Sequence, residues 1–355
     1  MGGVQHYART VIDAVSDQFE IDAVVSSRKI FSDSIQLPSG TMWRMGTLGI
    51  LASTPISLFF PFKVWQLLKN KKYDIIHFNF PDPLALITFV FLKKKAKYIV
   101  SWHSDVVKQR WALSIYLPLL RYFLKKVDLI LVATQSHFTS STQLPRELQS
   151  KVRVVPYGIP DVPEESIAEP DLIKSLKGKK IIFTLGRHVY YKGYEYLIEA
   201  MSYVRNAILI MAGDGPLTEK YKGLICKLNL EEKIFLVGKL TDKELLGYFK
   251  YCDVFCLPSI EPSEAFGYVQ VEAMRFGKPV VNCRLNNGVN EVSPDGVSGL
   301  TCEPRDSKEL AECLNKLCTD QTRYLALSKG ALENSKRFTF SNLRVNIKDN
   351  YFKLN

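Results

Sequence analysis

No cysteine precedes Cys226 in this 355-residue chain; all seven fall between Cys226 and Cys318. An odd count, without metal-site spacing and without a secretory leader, predicts reduced thiols and a cytoplasmic setting. Cys252-Asp-Val-Phe-Cys256 alternates like a buried strand rather than a ligand pair. Long apolar runs are also missing. Leu48 to Trp65 is broken by Pro55 and Pro61, and Leu84 to Leu92 is too short to span a bilayer. Met1-Gly2-Gly3 is followed by His6 where a myristoylation signal needs Ser or Thr. There is no low-complexity tract and no repeat of solenoid length. What remains is 46% hydrophobic and 23% charged, the balance of a globular chain long enough for two domains.

Acid is scarce in the first half. Residues 1–160 hold 20 Lys and Arg against 10 Asp and Glu, whereas residues 161–355 hold 27 against 26. The net charge of +11 therefore belongs almost wholly to the first half. Such asymmetry points to an anionic partner: a membrane surface, a phosphorylated acceptor or a nucleic acid. No recognisable nucleic-acid module accompanies it, which ranks that partner last. A generic solvated surface is the plain alternative.

Short apolar runs alternate with amphipathic segments, the pattern of parallel sheets with crossover helices. In the first half, strands are predicted at Ile21–Val25, Ile75–Phe78, Tyr98–Trp102, Leu129–Ala133 and Val152–Val155. Helices are predicted at Val4–Val15, Phe62–Leu68, Pro83–Leu92 and Leu113–Lys125. A shift to Pro, Asp and Glu from Ile159 to Ala168 reads as a linker. In the second half, strands at Lys180–Thr184, Ala207–Met211, Ile234–Val237, Val254–Leu257, Pro279–Asn282 and Leu300–Cys302 are separated by helices. Those helices lie near Tyr194–Tyr203, Leu217–Leu228, Asp242–Tyr251 and Tyr268–Phe276, with more at Ser307–Leu317, Arg323–Ser335 and Ser341–Tyr351. The expectation is an α/β chain of two doubly wound domains, 1–160 and 161–355, facing a central cleft, with the last helix crossing back. The strand that should precede the Gly2-Gly3 turn is missing from the sequence.

The stretch Ser263 to Gly277 carries the strongest chemical signal. Glu264 and Glu272 stand eight residues apart around Phe266-Gly267, a turn expected to open the helix from Tyr268. With Glu264 on the loop and Glu272 on the helix, both can reach one hollow. Backbone N–H groups at a helix start favour negative charge, so the segment suits a sugar attached to phosphates. Gly186-Arg187 to Lys192-Gly193 follows an apolar strand, and a cation at each end can straddle a diphosphate. An ordinary strand-to-helix turn with surface cations is the competing explanation. Gly213-Asp214-Gly215-Pro216 is a weak turn signal by itself. Gly238, in Val237-Gly-Lys-Leu240, can offer backbone groups to a nucleotide base.

His103 follows a strand and precedes Ser104-Asp105, where an imidazole can face a cleft and bond a sugar hydroxyl or move a proton. A structural histidine is the alternative. His77 reads as packing or cleft wall. Trp111 to Lys126, with Lys93-Lys-Lys-Ala-Lys97, mixes aromatics and cations and fits either an anionic membrane surface or a core helix with a basic end. The chain has no Asp-x-Asp to hold a divalent metal on a diphosphate. Positive charge must then come from Arg187, Lys192 and helix N-termini.

Gly2-Gly3-Val4, His103, Gly186-Arg187, Lys192-Gly193, Gly213-Asp214-Gly215-Pro216, Pro258-Ser259 and Glu264 with Glu272 occur in the order seen in family 4 retaining glycosyltransferases. The resemblance covers nearly the whole chain. From Glu264 to Gly299 it looks most like bacterial enzymes of O-antigen and related surface polysaccharides. It implies a GT-B fold of two Rossmann-like domains, the first binding acceptor and the second nucleotide-sugar. By position, Arg187 and Lys192 resemble the cations on the donor diphosphate. Glu272 resembles the acid on the ribose hydroxyls, and Glu264 the acid facing the transferred sugar. Backbone groups of Phe266, Gly267 and Tyr268 would meet sugar hydroxyls and phosphate. His103 resembles the histidine beside the reacting sugar, and Gly3 the glycine loop near the donor phosphate.

The resemblance further implies a metal-independent transfer from a GDP- or UDP-linked hexose to a glycan or polyprenyl-diphosphate-linked acceptor. The setting would be the cytoplasmic face of the inner membrane, with no nucleic acid and no cofactor beyond the sugar nucleotide. A GT-B protein that binds sugar nucleotides without this transfer is the alternative.

Overall fold

The computed structural model describes residues 3–27, 29–51, 54–90, 96–106, 110–162 and 167–354. Met1, Gly2, Lys93 to Lys95 and part of the expected linker, 163–166, lie outside the described residues. The chain divides into two compact units. One runs to Gly158 and takes back the residues from Phe340; the other is Ile159–Thr339.

The first unit contains α1 (Gly3–Val15), β1 (Ile21–Ser26), β2 (Asp33–Leu37), β3 (Gly40–Met45), β4 (Gly49–Leu51), β5 (Thr54–Ile56) and α2 (Phe59–Asn70). It continues through β6 (Ile75–Phe80), α3 (Pro83–Val90), β7 (Lys97–Trp102), α4 (Arg110–Lys126), β8 (Leu129–Val132), α5 (Gln135–Thr139) and β9 (Val152–Val154). Strands β6-β7-β8-β9 form a parallel sheet; β1 pairs parallel with β3, and β2 pairs antiparallel with β3. Strands β2 to β5 were not expected from the sequence, and they make this half less regular than a purely parallel doubly wound sheet. Their alternation is short and broken by Pro38-Ser39-Gly40. Among the described residues no strand precedes α1.

The second unit contains α6 (Asp171–Ser175), β10 (Lys180–Leu185), α7 (Tyr194–Ala200), β11 (Ala207–Ala212), α8 (Thr218–Lys227), β12 (Ile234–Gly238), α9 (Asp242–Tyr251) and β13 (Val254–Leu257). Then come α10 (Tyr268–Met274), β14 (Val280–Cys283), α11 (Gly288–Val292), β15 (Gly299–Cys302), α12 (Ser307–Thr319) and α13 (Gln321–Ser335). Its sheet is all parallel, in the order β12-β11-β10-β13-β14-β15. Helices cover both faces of such a sheet, so its strands read as continuous apolar runs; every residue of β11 is buried. Helix α9 starts on a capping box: the Thr241 side chain accepts from the Glu244 N–H, and the Glu244 carboxylate accepts from the Thr241 N–H. Such a cap contributes about 1 kcal/mol.

The final helix, α14 (Phe340–Phe352), packs on the first unit beside α1, where Leu343, Ile347 and Tyr351 join Tyr7, Ile99 and Leu131 in one core. A polar chain runs through this core. The Tyr7 hydroxyl meets Ser101 Oγ at 2.9 Å, Ser101 Oγ meets His77 Nε2 at 2.8 Å, and His77 Nδ1 meets the Tyr351 hydroxyl at 2.6 Å. His77 is thus the pin that ties α14 to the sheet. At the surface, Arg344 and Lys348 both reach Asp17, at 2.6 and 2.8 Å.

On the other face, Phe80 stacks between Trp102 and Phe123, with Leu120 and Leu124 beside them. This face of α4 is core. Leu120, Phe123 and Leu124 are fully buried, so that face does not meet a membrane.

Candidate functional site

In the second unit the loops at the carboxyl ends of β10, β11, β12 and β13 gather at one edge of the sheet. Backbone bonds knit them: the Gly186 N–H donates to the Ala212 carbonyl and the Gly213 N–H to the Gly238 carbonyl. The His188 N–H donates to the Asp214 carbonyl. The His188 ring is buried, and its Nδ1 lies 2.8 Å from Thr218 Oγ1 at the start of α8. Sequence reasoning assigned His188 nothing; it anchors the Gly-Asp-Gly-Pro turn.

Gly193 separates a short 3₁₀ turn, Tyr190–Lys192, from α7 and has φ +64°. A Cβ there would fall 2.2 Å from the Pro258 carbonyl oxygen, so only glycine lets the β10 and β13 loops come this close. The contact delivers Lys192 to the β13 loop. Its Nζ lies 2.5 Å from Glu264 Oε2, with both side chains largely buried. Burial alone would depress the ammonium, but the Glu264 carboxylate reverses this and holds it above the ordinary lysine range. Ser259 Oγ donates to the same carboxylate oxygen at 3.1 Å. Asn287 Nδ2, at the cap of α11, donates to the Glu264 carbonyl at 2.8 Å.

Ser259 and Asn287 were not among the residues singled out for a role. The signals were a first polar residue after an apolar strand and an Asn-Gly pair at a helix start. Arg187, two residues into the β10 loop, is exposed and makes no ion pair among the described residues. Lys192 and Glu264 are therefore locked together, while Arg187 stands open at the same loop.

Glu264 sits on the loop and Glu272 on the helix. Helix α10 ends at Met274 rather than Phe276 and begins after Gly267, whose φ is +68°. A Cβ at Gly267 would lie 2.5 Å from the Gln270 amide nitrogen. The Phe266 side chain is buried against Phe338, leaving its backbone on the loop; Tyr268 is half-buried. Behind the loop, Gln270 Nε2 donates to the Phe266 and Val289 carbonyls, and Asn282 Nδ2 donates to Gln270 Oε1. A satisfied buried network of this kind fixes loop geometry.

Glu272 is half-buried, and burial pushes its carboxyl up to about 7, with Arg275 opposing and Asp242 adding to the rise. Asp242 begins α9, the helix that follows β12, whose last residue is Gly238. Gly238 has φ +70° and open space where a Cβ would stand.

The remaining sequence candidates, His103 and Gly3, belong to the first unit. Gly3 is the first residue of α1. His103 is buried, with Nδ1 bonded to the Tyr157 hydroxyl and Nε2 3.1 Å from Asn79 Oδ1. An amide oxygen only accepts, so Nε2 donates and Nδ1 accepts from Tyr157. Burial, with His137 and His77 nearby, takes the imidazole down to about 3, so it is neutral at physiological pH. Both ring nitrogens are engaged within the unit, Nε2 by Asn79 and Nδ1 by Tyr157. Asp105, its neighbour in the motif, is a loop anchor, accepting from Ser141 Oγ, the Thr142 N–H and Thr142 Oγ1.

Residues 1–161 match the sequence family described as Glycosyltransferase Family 4, and residues 169–334 match Glycosyl transferases group 1. The chain is 32% identical over 291 residues to O-antigen chain mannosyltransferase C of Escherichia coli, across 81% of this chain and 75% of that protein. It is 29% identical over 256 residues to D-rhamnosyltransferase WbpZ of Pseudomonas aeruginosa, across 72% of this chain and 66% of that one. Among solved structures, sucrose-phosphate synthase from Thermosynechococcus elongatus superposes with a TM-score of 0.78 at 20% identity, covering 99% of this chain and 94% of that one. Anabaena HepE in complex with UDP gives 0.75 at 19% identity, covering 99% and 96%. At these identities the structural likeness is one of fold, and the fold is GT-B. The chain belongs to the family 4 glycosyltransferases.

Proposed function

We propose that the protein transfers a hexose from a nucleotide-diphosphate sugar to a glycan or polyprenyl-diphosphate-linked acceptor, with retention of configuration, in the assembly of an O-antigen or related surface polysaccharide. The second unit binds the donor and the first the acceptor. The observation that carries this reading is the Lys192–Glu264 pair, fixed beside a loop that also presents Arg187.

Lys192 and Arg187 receive the diphosphate, Lys192 as a point charge and Arg187 as a planar fork. The bond from the anomeric carbon to the diphosphate oxygen breaks, and the electron pair leaves with the nucleotide; the acceptor hydroxyl oxygen bonds to the anomeric carbon, and its proton passes to the departing diphosphate. Fixed positive charge aimed at that oxygen stabilises the charge that develops there. The anomeric carbon gains oxocarbenium character, which Glu264 faces. Glu272 accepts hydrogen bonds from the ribose hydroxyls, and Gly238 leaves room for the base. His103, neutral and hydrogen-bonded to Tyr157 and Asn79, is the histidine placed to meet the transferred sugar. The absence of Asp-x-Asp supports a reaction in which these cations, not a divalent metal, meet the diphosphate.

The relatives named as a mannosyltransferase and a D-rhamnosyltransferase support a mannose-type sugar; the donors to test are GDP-mannose first and UDP-hexoses second. The test is a thermal-shift panel of GDP- and UDP-sugars followed by transfer to a lipid-linked glycan, with the anomeric configuration of the product read by NMR. A ligand at 100 times its dissociation constant stabilises by about 2.7 kcal/mol, a readily measured shift. Inverted product or hydrolysis without transfer would reject the reading.

A further inference from the structure

Helix α2 is apolar on two opposite sides. Phe60 is buried against Met45 and Leu84, as the inward face of a surface helix should be. Leu58, Phe62 and Trp65 recur at i, i+4 and i+7 on the other side, where they are 70%, 60% and 48% exposed. Lys69 continues the stripe one turn on, with its ammonium 5.1 Å from the centre of the Trp65 ring. The stripe does not end with the helix. Ser57 Oγ donates to the Gly46 carbonyl, the Leu48 N–H to the Ile56 carbonyl, and the Thr47 N–H to the Lys29 carbonyl. These bonds place exposed Leu48, Ile30 and Phe31, the last 83% exposed, at the same end of α2. Singly exposed apolar side chains need no explanation, but a contiguous aromatic patch does.

The chain stretch that holds α2 carries charge of one sign. From Ser34 to Tyr73 there is no Asp or Glu, while Arg44, Lys63, Lys69, Lys71 and Lys72 are all present. Arg44 is matched by Asp33, and Lys71 by Glu20 and Asp22. Lys63, Lys69 and Lys72 meet no carboxylate among the described residues. Lys63 lies instead 3.2 Å from the centre of the Trp43 ring. A protein partner would ordinarily meet a polar rim around an apolar centre. Aromatics pointing outward, with lysines along their flank and no acid between, match an anionic bilayer surface, where rings sit among the headgroups and ammoniums meet phosphate.

We infer that the Leu58–Phe62–Trp65 face of α2, with the Phe31 loop beside it, docks the protein on anionic phospholipid. This deepens the proposed function by naming the surface through which a lipid-linked acceptor is met, and it rests on that reading. It does not depend on donor chemistry, so vesicle binding and sugar transfer fail independently.

The experiment is co-sedimentation of the full chain with vesicles of phosphatidylglycerol and phosphatidylethanolamine, and with pure phosphatidylcholine, at low and high salt. The wild type is expected to bind the anionic vesicles at low salt and to shift its tryptophan emission to the blue. The double variant Phe62→Ser, Trp65→Ser should lose at least about tenfold in affinity and the shift, with an unchanged melting temperature because both side chains are exposed. Lys63→Glu, Lys69→Glu and Lys72→Glu should each lower affinity about fivefold at low salt and have little effect at high salt. Absence of wild-type binding to anionic vesicles overturns the inference, as does undiminished binding by the double serine variant. A wild type that self-associates without binding lipid, and becomes monomeric in that variant, also overturns it.

Discussion

The ammonium of Lys192 and the carboxylate of Glu264, 72 residues apart in sequence, meet at 2.5 Å on adjoining loops. Each is largely buried, so each depends on the other. Removing one partner of such a pair strands a charge and destabilises by about 3–5 kcal/mol, less where the diphosphate side is open to water. Lys192→Ala should therefore lower the melting temperature, and Lys192→Ala with Glu264→Ala should recover part of the loss. Glu264→Gln should keep the shape and lose at least about 100-fold in kcat. Calorimetry and a transfer assay check both; additive losses in the double variant would show that the pair is not coupled.

Glu272 tests the site through pH. An ordinary glutamate ionises near 4.5, whereas burial raises this carboxyl to about 7. Its folded value lies above its unfolded one, so its contribution to stability is full below 4.5 and is lost as pH rises through 7. At pH 8 the ligand-free protein bears that loss in full. Glu272→Gln should raise stability at pH 8 by about 2 kcal/mol while weakening donor binding at least tenfold. Wild-type donor affinity should fall as pH drops from 8 to 6. Flat affinity over that range would remove Glu272 from the ribose.

In the first unit the sign is opposite. Burial takes His77 down to about 4 and His103 to about 3, both below the unfolded value of 6.5. Unfolded chains take up these protons first, so stability present above pH 6.5 is lost as pH falls. Each histidine should remove about 2 kcal/mol between pH 6.5 and 5. The double variant His77→Leu, His103→Leu should flatten the slope of melting temperature against pH. An unchanged slope would mean that neither ring stays neutral.

Gly193→Ala should be costly out of proportion to its size. Its Cβ would collide with the Pro258 carbonyl, and φ +64° adds strain. A loss of about 2–4 kcal/mol is expected, together with weakened nucleotide binding, because the β10 and β13 loops must separate. Wild-type stability and affinity would show that the two loops do not need this approach.

The second unit was legible because burial on both faces leaves its parallel strands as apolar runs. The expected span Val254–Leu257 coincides with β13, and Lys180–Thr184 falls one residue short of β10. The division of Glu264 to the loop and Glu272 to the helix could be read for the same reason: Phe266-Gly267 marks the helix start. Less could be read in the first unit. Strands β2 to β5 are short, and their alternation is interrupted by Gly40, Gly46 and Gly49. The pin between His77 and Tyr351 spans 274 residues, a pairing no local pattern contains. For His103, position after a strand was visible, but its closure by Tyr157 and Asn79 was not. Trp111 to Lys126 and α2 have similar aromatic and cationic composition; only packing shows that α4 buries Phe123 while α2 exposes Phe62.

The most direct measurement is the affinity of the intact protein for GDP and UDP, by titration calorimetry, in the wild type, Lys192→Ala and Glu272→Ala. One of the two nucleotides should bind the wild type, and each variant should weaken it by at least about tenfold, or 1.4 kcal/mol. Equal affinity in all three proteins, or no binding of either nucleotide to the wild type, would contradict a donor site built on these side chains.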